Sequence, residues 1–141
     1  MASSKKIKQQ EAQWAELCSR IQSATSAIPI GDFAEQSKRI AKARKDYAYF
    51  VSTYFPHFAS KPTSKFQIDA ANHVLSDDKF RGVFEWARGH AKSTHISLIE
   101  PMWILAQENH QPLVMVLVSK SQDSAKQLLS DLQAELLSNE L

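Results

Sequence analysis

Cysteine is nearly missing from this sequence. The lone Cys18 among 141 residues cannot form an intramolecular disulfide, so nothing demands an oxidising compartment. With three glycines and five prolines there is no collagenous pattern, and neither an internal repeat nor a low-complexity tract occurs. No apolar run approaches the roughly 18 to 20 residues of a membrane span. The longest, Leu113 to Val118, is the length of a strand. Lys5 and Lys6 are followed by polar residues such as Gln9 and Gln10 rather than an apolar stretch, which excludes a secretory signal pattern. What is present, 43% hydrophobic and 23% charged residues, is ordinary globular composition and excludes a wholly disordered chain.

The net charge of +2 conceals an asymmetry. Residues 1–65 hold eleven Lys or Arg against five acids, and residues 66–141 hold six against ten. The basic half points to an anionic partner, or to no more than a solvated face, since surface charge speaks of partners rather than of fold.

Trp14, Leu17, Cys18 and Ile21 share one helical stripe, which predicts a helix over 5–23. The stretch to Asp32, with Pro29 and Gly31, reads as a linker, and Asp32 is placed to cap the next element. From Phe33 to Phe55 neither Pro nor Gly intervenes. One long helix is expected, with Lys38, Arg39, Lys42, Arg44 and Lys45 in water and Tyr47, Phe50, Val51, Tyr54 and Phe55 packed. Ser64 to Leu75 predicts another helix.

The period then changes. Gly82–Trp86 reads as a strand, Lys92–Gln107 as a helix, Leu113–Val118 as a strand apolar on both faces and Gln122–Leu137 as a helix with Ala125, Leu128, Leu129, Leu132 and Leu136 inward. Pro101 forfeits the bond to the Ser97 carbonyl, so a kink or break is expected near Glu100. The order argues an α/β fold, a parallel βαβα unit of an incomplete P-loop NTPase preceded by a helical N-terminal region. The expected divisions are 1–31 (helix and linker), 32–80 (basic and aromatic helices) and 81–141 (start of the ATPase domain).

Ala87-Arg88-Gly89-His90-Ala91-Lys92-Ser93-Thr94 lies between the first of these strands and its helix. A phosphate chain needs several donors at once, which a short loop feeding a helix supplies through backbone N–H groups and the helix dipole. Lys92 adds a point charge for the β- and γ-phosphates. The Ser93 hydroxyl directly after it is placed for Mg²⁺, which Thr94 would serve less well. Trp86 and Ala91 stand where the strict P-loop motif has glycine. Ala91 matters more, because a Cβ restricts positive φ and close approach to phosphate, although alanine obstructs least. The bland alternative is a surface turn with Arg88, His90 and Lys92 merely solvated. His90 and His95 lack Cys or carboxylate companions at ligand spacing, which argues against a metal site.

On these residues the chain resembles the start of a phage terminase large subunit of the Mu-like branch, whose loop takes an Arg-x-x-[Gly/Ala]-Lys-[Ser/Thr] form matched by Arg88 to Thr94. Tyr49 to Phe58, Phe66-Gln67 and Val118 to Ala125 are also similar to that family. The resemblance implies an ATP-binding motor that hydrolyses ATP to move double-stranded DNA into a procapsid, with Mg²⁺ as cofactor. It also implies the small terminase subunit, the portal protein and further copies of the chain as partners, in the cytoplasm of a bacterial host and with no membrane association. The nucleotide site it implies is Phe66, Gln67, Arg88, Gly89, His90, Ala91, Lys92, Ser93 and Thr94, with Ser93 on Mg²⁺ and Arg88 and Lys92 catalytic.

Gln67 either contacts adenine or merely starts a helix. Arg88 either stabilises charge on the γ-phosphate or simply contacts phosphate. Ser119-Lys120-Ser121 either couples nucleotide state to DNA movement or lets Ser121 cap the last helix. The family's strand ending in Asp-Glu and its metal-dependent nuclease domain are not found in these residues. The sequence therefore predicts an N-terminal fragment, truncated before Walker B and marginally folded, in which hydrolysis is doubtful. A helicase-like P-loop ATPase and a non-enzymatic basic helical module binding DNA or protein are the alternatives.

Overall fold

The computed structural model describes residues 2–77, 79–108 and 115–141. The chain divides into two compact units, Gly31–Val116 and the pairing of Met1–Ile30 with Leu117–Leu141.

The second of these is built from α1 (Ala2–Thr25) and α7 (Gln122–Ser138). Ile21, Thr25, Leu132, Ala134 and Glu135 are buried. Residues 7–17 flank residues 123–130, while Thr25 Oγ1 accepts a hydrogen bond from the Glu140 N–H at 3.3 Å, so the two helices run side by side in one direction. The stripe expected to face inward on α7 is only partly used. Leu132 is buried, but Leu129 and Leu136 are exposed and Ala134 and Glu135 take the inner positions.

In the other unit the single helix expected over 33–55 is two, α2 (Phe33–Lys45) and α3 (Tyr47–Tyr54). Asp46 divides them. Its backbone is extended, its carboxylate accepts from the Tyr49 N–H at 2.9 Å to start α3, and its own N–H donates to the Lys42 carbonyl to end α2. Hydrophobic spacing runs straight through such a break, because a capping aspartate costs the pattern nothing. Asp32 caps α2 as expected, accepting from the Glu35 N–H at 2.8 Å.

The core gathers Ala43, Tyr47, Phe50, Val51 and Phe55 with Ala71 of α4 (Lys65–Ser76) and with Ile99 and Trp103. The segment after the loop is helical throughout, as α5 (Lys92–Thr94), a π-helical turn His95–Ile99 and α6 (Glu100–Leu105). The disturbance expected near Glu100 is this wide turn. The Glu100 N–H reaches back to the His95 carbonyl, and Pro101, which has no N–H to lose, sits in the first turn of α6. Trp103 Nε1 donates to the Ala43 carbonyl at 2.9 Å, and Arg44 Nε donates to the Ala106 carbonyl at 2.7 Å while its guanidinium pairs with Glu108.

The α/β expectation is overturned. Among the described residues the chain is helical, with neither strand nor sheet, so no parallel βαβα P-loop unit is formed. Gly82–Trp86 and residues 115–118 form no ladder. Val83 is 87% exposed, Val116 75% and Val118 84%, where a strand inside a parallel sheet would bury them. Apolar residues ask for burial, but a strand exists only when another backbone supplies its hydrogen bonds, and a periodic pattern does not say whether one does. Leu113 and Val114, the start of the second expected strand, lie outside the described residues. No helix among the described residues is long and apolar enough to cross a membrane.

Candidate functional site

The loop between Trp86 and α5 turns by left-handed backbone at two positions. Gly89 has φ +83° and open space where a Cβ would stand. Ala91 has φ 54° and ψ 31°, the conformation its Cβ was expected to resist, and the chain becomes helical directly afterwards, with the His95 N–H bonded to the Ala91 carbonyl at 2.9 Å. A non-glycine residue held in this region costs roughly 1 to 2 kcal/mol, so the surroundings must impose it.

Two neighbours do so. His90 folds back on its own turn, with Nδ1 3.1 Å from the Ala87 carbonyl. Gln67, 8% exposed on α4, donates from Nε2 to the His90 carbonyl at 3.0 Å, and its Oε1 accepts from the Ser64 N–H at 2.8 Å. The second bond is half of a capping box, in which an N3 Gln satisfies the N-cap donor. One amide thus joins the start of α4 to the loop.

Phe66, the preceding residue, sets its ring edge-on to Trp86 at 5.1 Å and to His90 at 5.4 Å. Together with Glu85 and Ala87 these rings line an open hollow of about 400 Å³ beside the loop. The predicted site residues Phe66, Gln67, Gly89, His90 and Ala91 are therefore brought together, although 66–67 and 89–91 are distant in sequence. Arg88, Lys92 and Ser93 are exposed around the same turn, and Thr94 is half-buried. The Ser93 hydroxyl is the freer of the two to meet a cation.

In Ser119-Lys120-Ser121 the Ser121 hydroxyl caps α7, accepting from the Ser124 N–H at 3.2 Å. Among the described residues no cluster of His, Cys, Asp and Glu could hold a metal by itself. Mg²⁺ at this loop would need phosphate oxygens and water beside Ser93, the usual manner in which that ion is bound.

Behind the loop lies a cluster that spacing alone did not reveal. The Tyr47 hydroxyl is 2.9 Å from His95 Nδ1, and the His95 ring packs 6.3 Å from Trp86. Glu100, 4% exposed, has a buried Oε2 without a hydrogen-bond partner. Burial raises the Glu100 carboxyl to about 7 and lowers the His95 imidazole below its ordinary range. Burial first, and then the Glu100 carboxylate, push the Tyr47 hydroxyl upward. A charged residue amid Leu98, Ile99, Pro101 and Trp103 was the available signal. Comparison with protein-family models, with curated proteins and with solved structures finds no match for this chain.

Proposed function

We propose that the chain binds ATP with Mg²⁺ at Arg88–Thr94 and belongs to the DNA-packaging motor of a phage terminase large subunit. The observation that carries this reading is the pair of left-handed positions, Gly89 and Ala91, that turn an exposed Arg88-to-Ser93 segment into a helix beginning at Lys92. Backbone N–H groups that end a loop at the start of a helix, with two cations beside them, suit an oligophosphate. The reading rests on this loop and its neighbours on α4 rather than on a sheet.

In this role Lys92 supplies the charge for the β- and γ-phosphates, Arg88 meets the γ-phosphate and the Ser93 hydroxyl ligates the cation. Mg²⁺, when bound, neutralises charge on the phosphate oxygens. The ring-lined hollow of Phe66, Trp86 and His90 offers stacking faces for the base. Double-stranded DNA, the small terminase subunit, the portal protein and further copies of the chain follow as partners from the sequence resemblance. Of the basic cluster on α2, Lys38 and Lys45 are exposed and suited to DNA phosphates, whereas Arg44 is engaged by Glu108 and Ala106.

The test is titration with a fluorescent ATP analogue and Mg²⁺, beside Lys92→Ala, with folding followed by circular dichroism. Saturable binding that weakens at least about tenfold in the variant is expected, the scale of one charge-assisted phosphate contact. A folded chain that binds no nucleotide overturns the reading.

A further inference from the structure

We infer that Gln67 is a positioning residue that clamps the phosphate loop in its working shape and does not read the base. The inference rests on the nucleotide reading of the loop, and it departs from the adenine contact that the sequence resemblance implies for this side chain.

The amide is already engaged at both ends. Its oxygen accepts from the Ser64 N–H at 2.8 Å, its nitrogen donates to the His90 carbonyl at 3.0 Å, and the side chain is buried. To reach a base edge with both functions it would have to abandon two hydrogen bonds and leave the Ser64 N–H and the His90 carbonyl without these partners. The His90 carbonyl sits between Gly89 and Ala91, the two positions whose backbone is left-handed. A donor fixed on that carbonyl holds the peptide orientation where an alanine would otherwise relax toward ordinary φ. The anchorage is firm because Gln67 occupies N3 of a twelve-residue helix and is locked by its capping box. Base contacts then fall to the rings of Phe66, Trp86 and His90.

Gln67→Glu separates the two bonds. A glutamate at N3 keeps the capping-box acceptor and suits the start of a helix, so α4 is retained, but its carboxylate cannot donate to the His90 carbonyl. Two readouts are made on the full chain, with Gln67→Ala as a second variant. The first is hydrogen exchange of the His95 amide without nucleotide, since its bond to Ala91 forms only while the loop is in place. Exchange about fivefold faster in Gln67→Glu is expected, the worth of one neutral hydrogen bond; an unchanged rate overturns the clamp.

The second readout is affinity for Mg-ATP and for Mg-tripolyphosphate, which has no base. A clamp weakens both by a similar factor. A variant that weakens ATP and leaves tripolyphosphate untouched makes Gln67 a base reader and overturns the inference. If the wild-type chain binds neither compound, the nucleotide reading falls while the exchange measurement still decides whether Gln67 holds the loop.

Discussion

The hydroxyl of Tyr47 and Nδ1 of His95 lie 2.9 Å apart, tying α3 to the first turn after the loop. Neither atom meets water freely, since both residues are buried. With its imidazole lowered by burial, His95 is the neutral partner of this bond near neutral pH.

Glu100 makes stability fall as pH rises. Its carboxyl titrates near 7 in the folded chain against 4.5 as the ordinary value, so between these the folded state holds the extra proton and each step upward favours unfolding. The shift corresponds to roughly 3 kcal/mol, in full above about pH 7 and absent below about pH 4.5. Glu100→Gln is expected to be more stable than wild type at pH 8 by up to that amount and nearly equal to it at pH 4. His95 acts oppositely, its lowered value withdrawing stability as pH falls below about 6.5, and is common to both proteins. Urea midpoints at several pH values check the difference; a constant gap across the range contradicts it.

Ala91→Gly relieves left-handed strain of roughly 1 to 2 kcal/mol and adds about 0.4 to 1 kcal/mol of unfolded-state entropy, so a net gain of about 0.5 to 1 kcal/mol is expected. Gly89→Ala should lose a similar amount, although nothing stands within 4 Å of its would-be Cβ, because the penalty lies in the backbone alone. Paired thermal melts by circular dichroism decide both signs.

Asp46→Ala removes the carboxylate that starts α3 and should cost about 1 kcal/mol, a typical N-cap value. Asp46→Asn, which keeps an acceptor, should recover most of it. Denaturant unfolding of the two variants separates capping from charge.

Trp103→Phe keeps a ring in the core but leaves the Ala43 carbonyl without its donor, and a loss of about 2 to 3 kcal/mol is expected from the missing bond and volume. Trp103→Phe falling within about 0.5 kcal/mol of wild type would remove that bond from the account of how α2 holds α6.

Helices were the legible part of the sequence. Of the stripe from Tyr47 to Phe55, Tyr47, Phe50, Val51 and Phe55 are buried as its spacing predicts and Tyr54 is half-buried, and Asp32 and Ser121 cap where residue type alone places them. Sheet formation was not legible, because Val83 and Val116 carry the composition of strands while their pairing depends on another stretch of backbone. The site was legible in part. Residue order pointed to Phe66, Gln67 and the loop, and the structure brings those segments together, but the grip of Gln67 on a carbonyl is invisible to sequence because any residue supplies the same acceptor. The Tyr47, His95 and Glu100 cluster joins segments some fifty positions apart, and only the wide turn aligns them.

That turn also sets the azimuth of everything after it. One surplus residue in a helix advances the following side chains by about 100° around the axis. The π-helical turn absorbs that surplus, so Trp103 faces the Ala43 carbonyl; an ordinary α-helical course through His95–Ile99 with the same residues would carry the indole about 100° round the axis and away from it. The five residues behave like a shim in a machined joint, and the register of α2 against α6 depends on its thickness.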